Sequence, residues 1–167
     1  RYQDEPESAT SFLQGTRIAE NVEGLLVDPG AFDNLVGQNW ARRTRVLAQQ
    51  HGLGHQVIEK DMPRNLVVDG VGTGSQSATR QIQLPGALMT RCGKSIPCTY
   101  SGPMINEEPS ESSGLPALWG RKSLKRQRAI LDHVNDILYL CGDGDVVFTP
   151  PPGSHAFDLT TTSSGHY

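Results

Sequence analysis

The sequence has no apolar run approaching the ~20 residues needed to cross a bilayer as a helix. Nothing at its start resembles a charged segment followed by an apolar signal core. A membrane span and a secretory leader are therefore not expected. The sequence also lacks an excess of one charge: 15 basic and 18 acidic side chains leave a formal net charge of −3. That balance gives no global reason to expect nucleic acid or an anionic membrane as a partner. Cysteine is scarce and odd in number. Cys92, Cys98 and Cys141 cannot all pair within one chain, so the thiols are read as reduced and the chain as soluble and cytoplasmic. The glycine-rich stretch at Gly70, Gly72 and Gly74 lacks a Gly-Lys-Ser/Thr ending and a following apolar helix, which argues against a phosphate-binding loop.

Among 167 residues, 36% are apolar and 20% charged, with 18 glycines and 11 prolines. That composition supports one modest core with many turns and short strands, a mainly β chain. Residues 1–13 read as a polar, acidic, flexible lead-in, 14–149 as the folded domain, and 150–167 as a proline-rich exit and tail. "TPPPGS" closes the compact part, because consecutive prolines supply no sheet donors. The chain opens on Arg1 and closes on "SSGHY", which suggests a segment of something longer.

Periodicity predicts strands at "QGTRIA" and "GLLVD", then a helix over "GQNWARRTRVLAQQHG". Trp40, Ala41, Thr44, Leu47 and Ala48 share one face of that helix, with Arg42, Arg43 and Arg45 on a solvated face and Gly52 at the end. "NLVVDGVGTGSQSATRQIQLP" reads as a hairpin with a supple tip. "KSIPCTYSGPMI" is a strand, and "NEEPSESSG" a polar surface insertion. "LPALWGRKSLKRQRAILD" runs from a strand through Gly120 into a short basic helix and out into a strand. "HVND" then turns into "ILYLCG", its hairpin partner. His51 and His55 have helical spacing, but the helix is expected to end by Gly52, and Cys92 and Cys98 lack a two-residue gap. No metal and no cofactor is read from them.

"LLVDPGAFDNLVG" sets Asp28, Pro29 and Gly30 directly after an apolar run. Alone, the triplet is good type II turn chemistry, with Pro fixing φ at the second position and Gly accepting positive φ at the third. An ordinary turn with a capping Asp28 is one reading. Three features in order favour another: the strand into "LLVDPGA", the glycine-tipped hairpin "VDGVGTGSQSATRQIQL", and "ALWGRKSL" before a helix and a closing hairpin, "AILD" with "ILYL". This order resembles the retropepsin-like aspartic proteases, most closely the retroelement and ubiquitin-associated branches of the family, found within Copia-type and other polyproteins.

The resemblance implies a closed β-barrel with a flap hairpin and one or two short helices. It implies an aspartic endopeptidase that processes a retroelement polyprotein without a cofactor or metal. Asp28 would be the catalytic carboxyl, with Pro29, Gly30 and Ala31 as its supporting loop. The Gly30 amide would orient the carboxyl, and Ala31 would lie beside the substrate. Gly70, Val71 and Gly72 would form the flap over an extended peptide, and Gly120 and Arg121 would pass behind the site. Peptide hydrolysis of this kind uses two carboxyls sharing a proton across a water, about 3 Å apart, so that their pKa values split. With one Asp-x-Gly-Ala motif per chain, the second carboxyl would come from a second copy across a two-fold axis.

Three positions depart from the family pattern. Pro29 stands where a Ser or Thr bonds across the dimer axis, and offers neither a hydroxyl nor an amide hydrogen. Phe32 stands where many viral members carry an acid, leaving Asp33 as the nearest partner for Arg121. Lys122 replaces an Asp or Asn. Pro29 motivates a second reading, a catalytically impaired module of the same fold that dimerises or binds peptides.

Overall fold

The computed structural model describes residues 17–19, 22–68, 75–107 and 115–163. The expected flap tip at Gly70, Val71 and Gly72, the lead-in 1–13 and most of the "NEEPSESSG" insertion lie outside the described residues. In chain order the first strands are β1 (Arg17–Ala19), β2 (Val22–Glu23), β3 (Leu25–Asp28) and β4 (Val36–Gly37). Helix α1 (Gln38–Gln50), β5 (Ile58–Val68), β6 (Gln76–Met89) and β7 (Ser95–Ile105) follow. The last elements are β8 (Ala117–Gly120), α2 (Arg121–Arg126), β9 (Ala129–Asp132) and β10 (Ile137–Leu140). The chain is thus mainly β with two helices. Its described strands form one four-stranded and three two-stranded sheets, and a closed barrel is not among them. Among the described residues, no helix is long and apolar enough to cross a membrane.

Two compact units are built from this order: the residues up to Leu26 with Val36–Ala117, and Val27–Leu35 with the chain from Leu118 onward. The first holds the four-stranded sheet, ordered β4-β7-β6-β5, with β4 parallel to β7 and the other pairs antiparallel. Alternation along β6 turns Ala78, Ile82 and Leu84 inward, each at most 1% exposed. Ile82 and Leu84 pack with Val36, Trp40, Tyr100 and Met104 into the core, where the Trp40 and Tyr100 rings lie 5.8 Å apart. α1 buries Trp40, Ala41 and Ala48 from its apolar face, and the Trp40 indole N–H donates to the Gly24 carbonyl at 3.2 Å.

The expected solvated face of α1 is more engaged than its sequence suggests. Arg43 forms a two-pronged pair with Glu23 at 2.6 and 3.2 Å. Arg45 and Arg80 share Glu59. The basic run is thereby matched by acids from β2 and β5. The first turn of α1 carries no acid and no side-chain cap. Glu107, just past β7, takes that role instead, accepting the Asn39 amide at 3.0 Å on one oxygen and the Leu115 amide at 2.5 Å on the other. α1 ends at Gln50, followed by Gly52 at φ +73°. His55 falls in a separate 3-10 turn at Gly54–Gln56, so His51 and His55 do not share one helix.

β5 and β6 form the expected hairpin, pairing from Ile58↔Gln83 to Val68↔Gln76 with a register shift between Asp61 and Leu66. Pro63 falls within that shift, where its missing N–H costs no ladder bond. A second hairpin was not foreseen: β6 continues past Pro85 to Met89 and pairs with β7 as far as Met89↔Ser95. Pro85 is tolerated because β5 stops opposite Gln83, leaving one side of β6 without a strand to donate to. Thr90 closes the turn, its hydroxyl donating to the Lys94 carbonyl and accepting the Lys94 amide, both at 2.9 Å.

The second unit contains α2 and the β9–β10 hairpin, registered from Ile137↔Asp132 to Leu140↔Ala129. Its "HVND" turn is fixed by Asp132, whose Oδ1 accepts the amides of Val134 and Asn135 at 2.9 and 3.2 Å. No strand occurs in the described tail after Leu140.

Two measurements check this packing. Ile82→Ala should destabilise the chain by about 2–5 kcal/mol, read from urea unfolding, because it empties space in the closed core. The Cys92 thiol is held below its ordinary pKa by the Thr90 hydroxyl and then the Lys94 amide, whereas burial raises that of Cys98. A lower pKa leaves more thiolate at a given pH, so as pH is raised the alkylation of Cys92 should set in at a lower pH than that of Cys98, as followed by peptide mapping.

Candidate active site

Asp28 closes β3, where the apolar run Leu25–Val27 gives way to a turn. The Ala31 amide donates to the Asp28 carbonyl at 3.2 Å, closing the four-residue turn. Gly30 lies outside the left-handed region, so the type II turn expected from Asp-Pro-Gly is not formed. Pro29 keeps a fixed φ that type I geometry accepts equally. Glycine at position 30 leaves room for the carboxyl, since a Cβ there would stand 3.1 Å from Asp28 Oδ1 and push it a few tenths of an ångström aside.

That closeness has a chemical result. Asp28 Oδ1 accepts the Gly30 amide at 2.9 Å and the Ala31 amide at 3.1 Å. Two donors on one oxygen fix the plane of the carboxyl, and Oδ2 makes no hydrogen bond among the described residues. The group is half-buried, between exposed Pro29 and Gly30 on one side and the strand on the other. It is an oriented carboxyl with one oxygen free to meet a water or a second acid.

The residues after the turn are stitched to the segment that opens α2. The Arg121 amide donates to the Ala31 carbonyl at 2.8 Å, and the Lys122 amide to the Phe32 carbonyl at 3.0 Å. Asn34 Oδ1 accepts the Gly120 amide at 3.0 Å, and Leu35 and Leu118 exchange both backbone bonds at 3.4 and 2.7 Å. Gly120 must be glycine because any Cβ would overlap the Asp33 carbonyl.

The structure therefore brings Asp28, Pro29, Gly30 and Ala31 together with Gly120 and Arg121. Asp33 bonds Lys122, its Oδ2 lying 2.9 Å from Nζ, a pairing not foreseen in the sequence. The same ammonium lies 5.9 Å from the centre of the Phe32 ring. Two departures in the sequence thus answer each other: a cation at 122 meets an acid at 33 and a ring at 32. Both charged groups are exposed, at 61% and 45%, so the pair contributes little stability and mainly sets register. Asn34 went unnoticed in the sequence. Its only signal is an amide side chain two residues before the buried Val36 in an otherwise turn-like stretch.

No family model and no curated protein matches this chain. Among solved structures, it is similar to the retroviral protease-like domain of Ddi1 from Leishmania major. The two share 20% sequence identity over 70% of this chain and 76% of that one, with a TM-score of 0.37. The chemistry of the acidic turn rests on this chain's own residues.

Gly120→Ala should lower stability by about 1–3 kcal/mol through overpacking against Asp33. Asn34→Ala should cost about 1–3 kcal/mol by leaving the Gly120 amide unpaired. Urea midpoints equal to that of the unmodified chain would show that the stitch carries no load.

Proposed function

We propose that this chain is an aspartic endopeptidase of the retropepsin kind, active as a two-fold homodimer in which each copy contributes one Asp28. The observation that carries this reading is the Asp28 carboxyl, with Oδ1 fixed by the Gly30 and Ala31 amides and Oδ2 unbonded among the described residues. The two nearest other acids in the sequence are both engaged, Asp33 by Lys122 and the Asn34 amide and Glu23 by Arg43. One free carboxyl can take a proton from water or give one to a carbonyl oxygen, and peptide hydrolysis needs both at once. A twin Asp28 from a second copy supplies the missing partner. One carboxylate removes a proton as the water attacks the peptide carbon, and the other protonates the carbonyl oxygen. The resulting tetrahedral species collapses with the proton passed to the leaving amine.

In this reading the substrate is an extended peptide held as an added strand. Gly70, Val71 and Gly72, outside the described residues, would cover it as a flap in this reading, and a retroelement polyprotein is its natural source. Pro29 favours a second reading, in which the same dimer binds peptides without cutting them, because the proline removes a hydroxyl and an amide donor from the turn. The two differ in one measurement.

The full chain, incubated with a mixed peptide library and analysed by mass spectrometry, should cleave peptides. Asp28→Asn should cleave about 10²–10⁴-fold more slowly while sedimenting like the unmodified protein. Equal cleavage by both chains overturns the role of Asp28. Binding without cleavage by either establishes the peptide-binding module.

A further inference from the structure

Pro29 removes polar contacts from the acidic turn, but its ring has a second surface to serve. It lines a cavity of about 250 Å³ together with Val27, Leu124, Leu131 and Leu138. An apolar cavity of about 150 Å³ accommodates a benzene ring, so this one has room for an aromatic side chain. Its lining includes Arg121 and Lys125 and no acid. Lys125 is exposed and has no ion pair among the described residues. An apolar hollow edged by positive charge suits an occupant that joins a ring to a carboxylate.

The tail of this chain presents such an occupant. Phe157 is 84% exposed, and its neighbour Asp158 is exposed without a partner among the described residues. A phenylalanine left in water forgoes roughly 1.5–3 kcal/mol of burial. The other acidic and apolar stretch, Asp143 to Phe148, is held at its start, where the Arg128 guanidinium donates to the Gly144 carbonyl, and the Arg128 carbonyl accepts the Cys141 amide just before it. In the single chain the cavity and Phe157 are both unsatisfied, and two copies can satisfy both at once.

We infer that Phe157 of a second copy seats in the cavity beside Pro29, with Asp158 set against Lys125, and that the exchange is reciprocal across the two-fold axis. The inference rests on the dimeric reading above and adds the element that holds the dimer. A reciprocal exchange of this kind closes at two copies. It also gives Pro29 a purpose: at the foot of the acidic turn, an apolar wall for a neighbour's ring replaces a hydroxyl.

Sedimentation of the full chain across micromolar concentrations tests this with Phe157→Ser, Lys125→Glu, Asp158→Lys and the Lys125→Glu/Asp158→Lys double variant. All three positions are exposed, so the fold should persist, as circular dichroism can verify. Phe157→Ser should raise the dimer Kd about tenfold or more, in keeping with the burial lost. Each charge reversal should weaken association, and the double variant should recover it. Variants that dimerise as tightly as the unmodified chain, or a double variant that recovers nothing, overturn the exchange and leave the dimeric protease standing. An unmodified chain that stays monomeric throughout overturns both.

Discussion

Two backbone hydrogen bonds, from the Arg121 and Lys122 amides to the carbonyls of Ala31 and Phe32, hold the return of the acidic turn. An Asp-Pro-Gly turn on a free loop would sample many orientations, and its carboxyl would behave as any surface acid. Anchored on one side by β3 and on the other by these bonds, the turn keeps its own amides aimed at Asp28 Oδ1. Gly30 and Gly120 serve the same end by different means: one leaves space for the carboxylate, and the other lets two backbones approach without a Cβ between them. The chemical character of the site follows from backbone placement more than from neighbouring side chains.

Much of this was legible in the residues themselves. The period of Trp40, Ala41 and Ala48 predicted α1, alternation in "ATRQIQL" predicted β6, and the apolar run into Asp28 marked the turn as unusual. What escaped notice is non-local. Nothing near α1 announces that Glu107 will cap it, because that carboxylate comes from 68 residues away in sequence. Pro85 looked like the end of a strand, and it lies inside one because its neighbour β5 has already stopped. The type II turn was a sound expectation from local propensity, overridden where the bonds to Arg121 and Lys122 fix the loop.

The departures at Phe32 and Lys122, taken with Asp33 beside them, teach a similar lesson. Taken one by one, each looked like the loss of a supporting contact. Together they form a small exposed group in which an ammonium sits between a carboxylate and an aromatic ring. Pro29 is different in kind, since no polar group replaces what it lacks. Its compensation is apolar, a wall of the cavity it shares with Leu124 and Leu138.

The contact between Asn34 and Gly120 joins residues 86 positions apart. During synthesis the acidic turn leaves the ribosome long before the segment that fastens it, and closing so long a span must precede any gain from the bonds it allows. The carboxyl is therefore idle on the nascent chain and acquires its fixed orientation only after the segment around Gly120 has been made. Whatever reaction it performs is withheld, by the order of translation alone, until that segment has emerged.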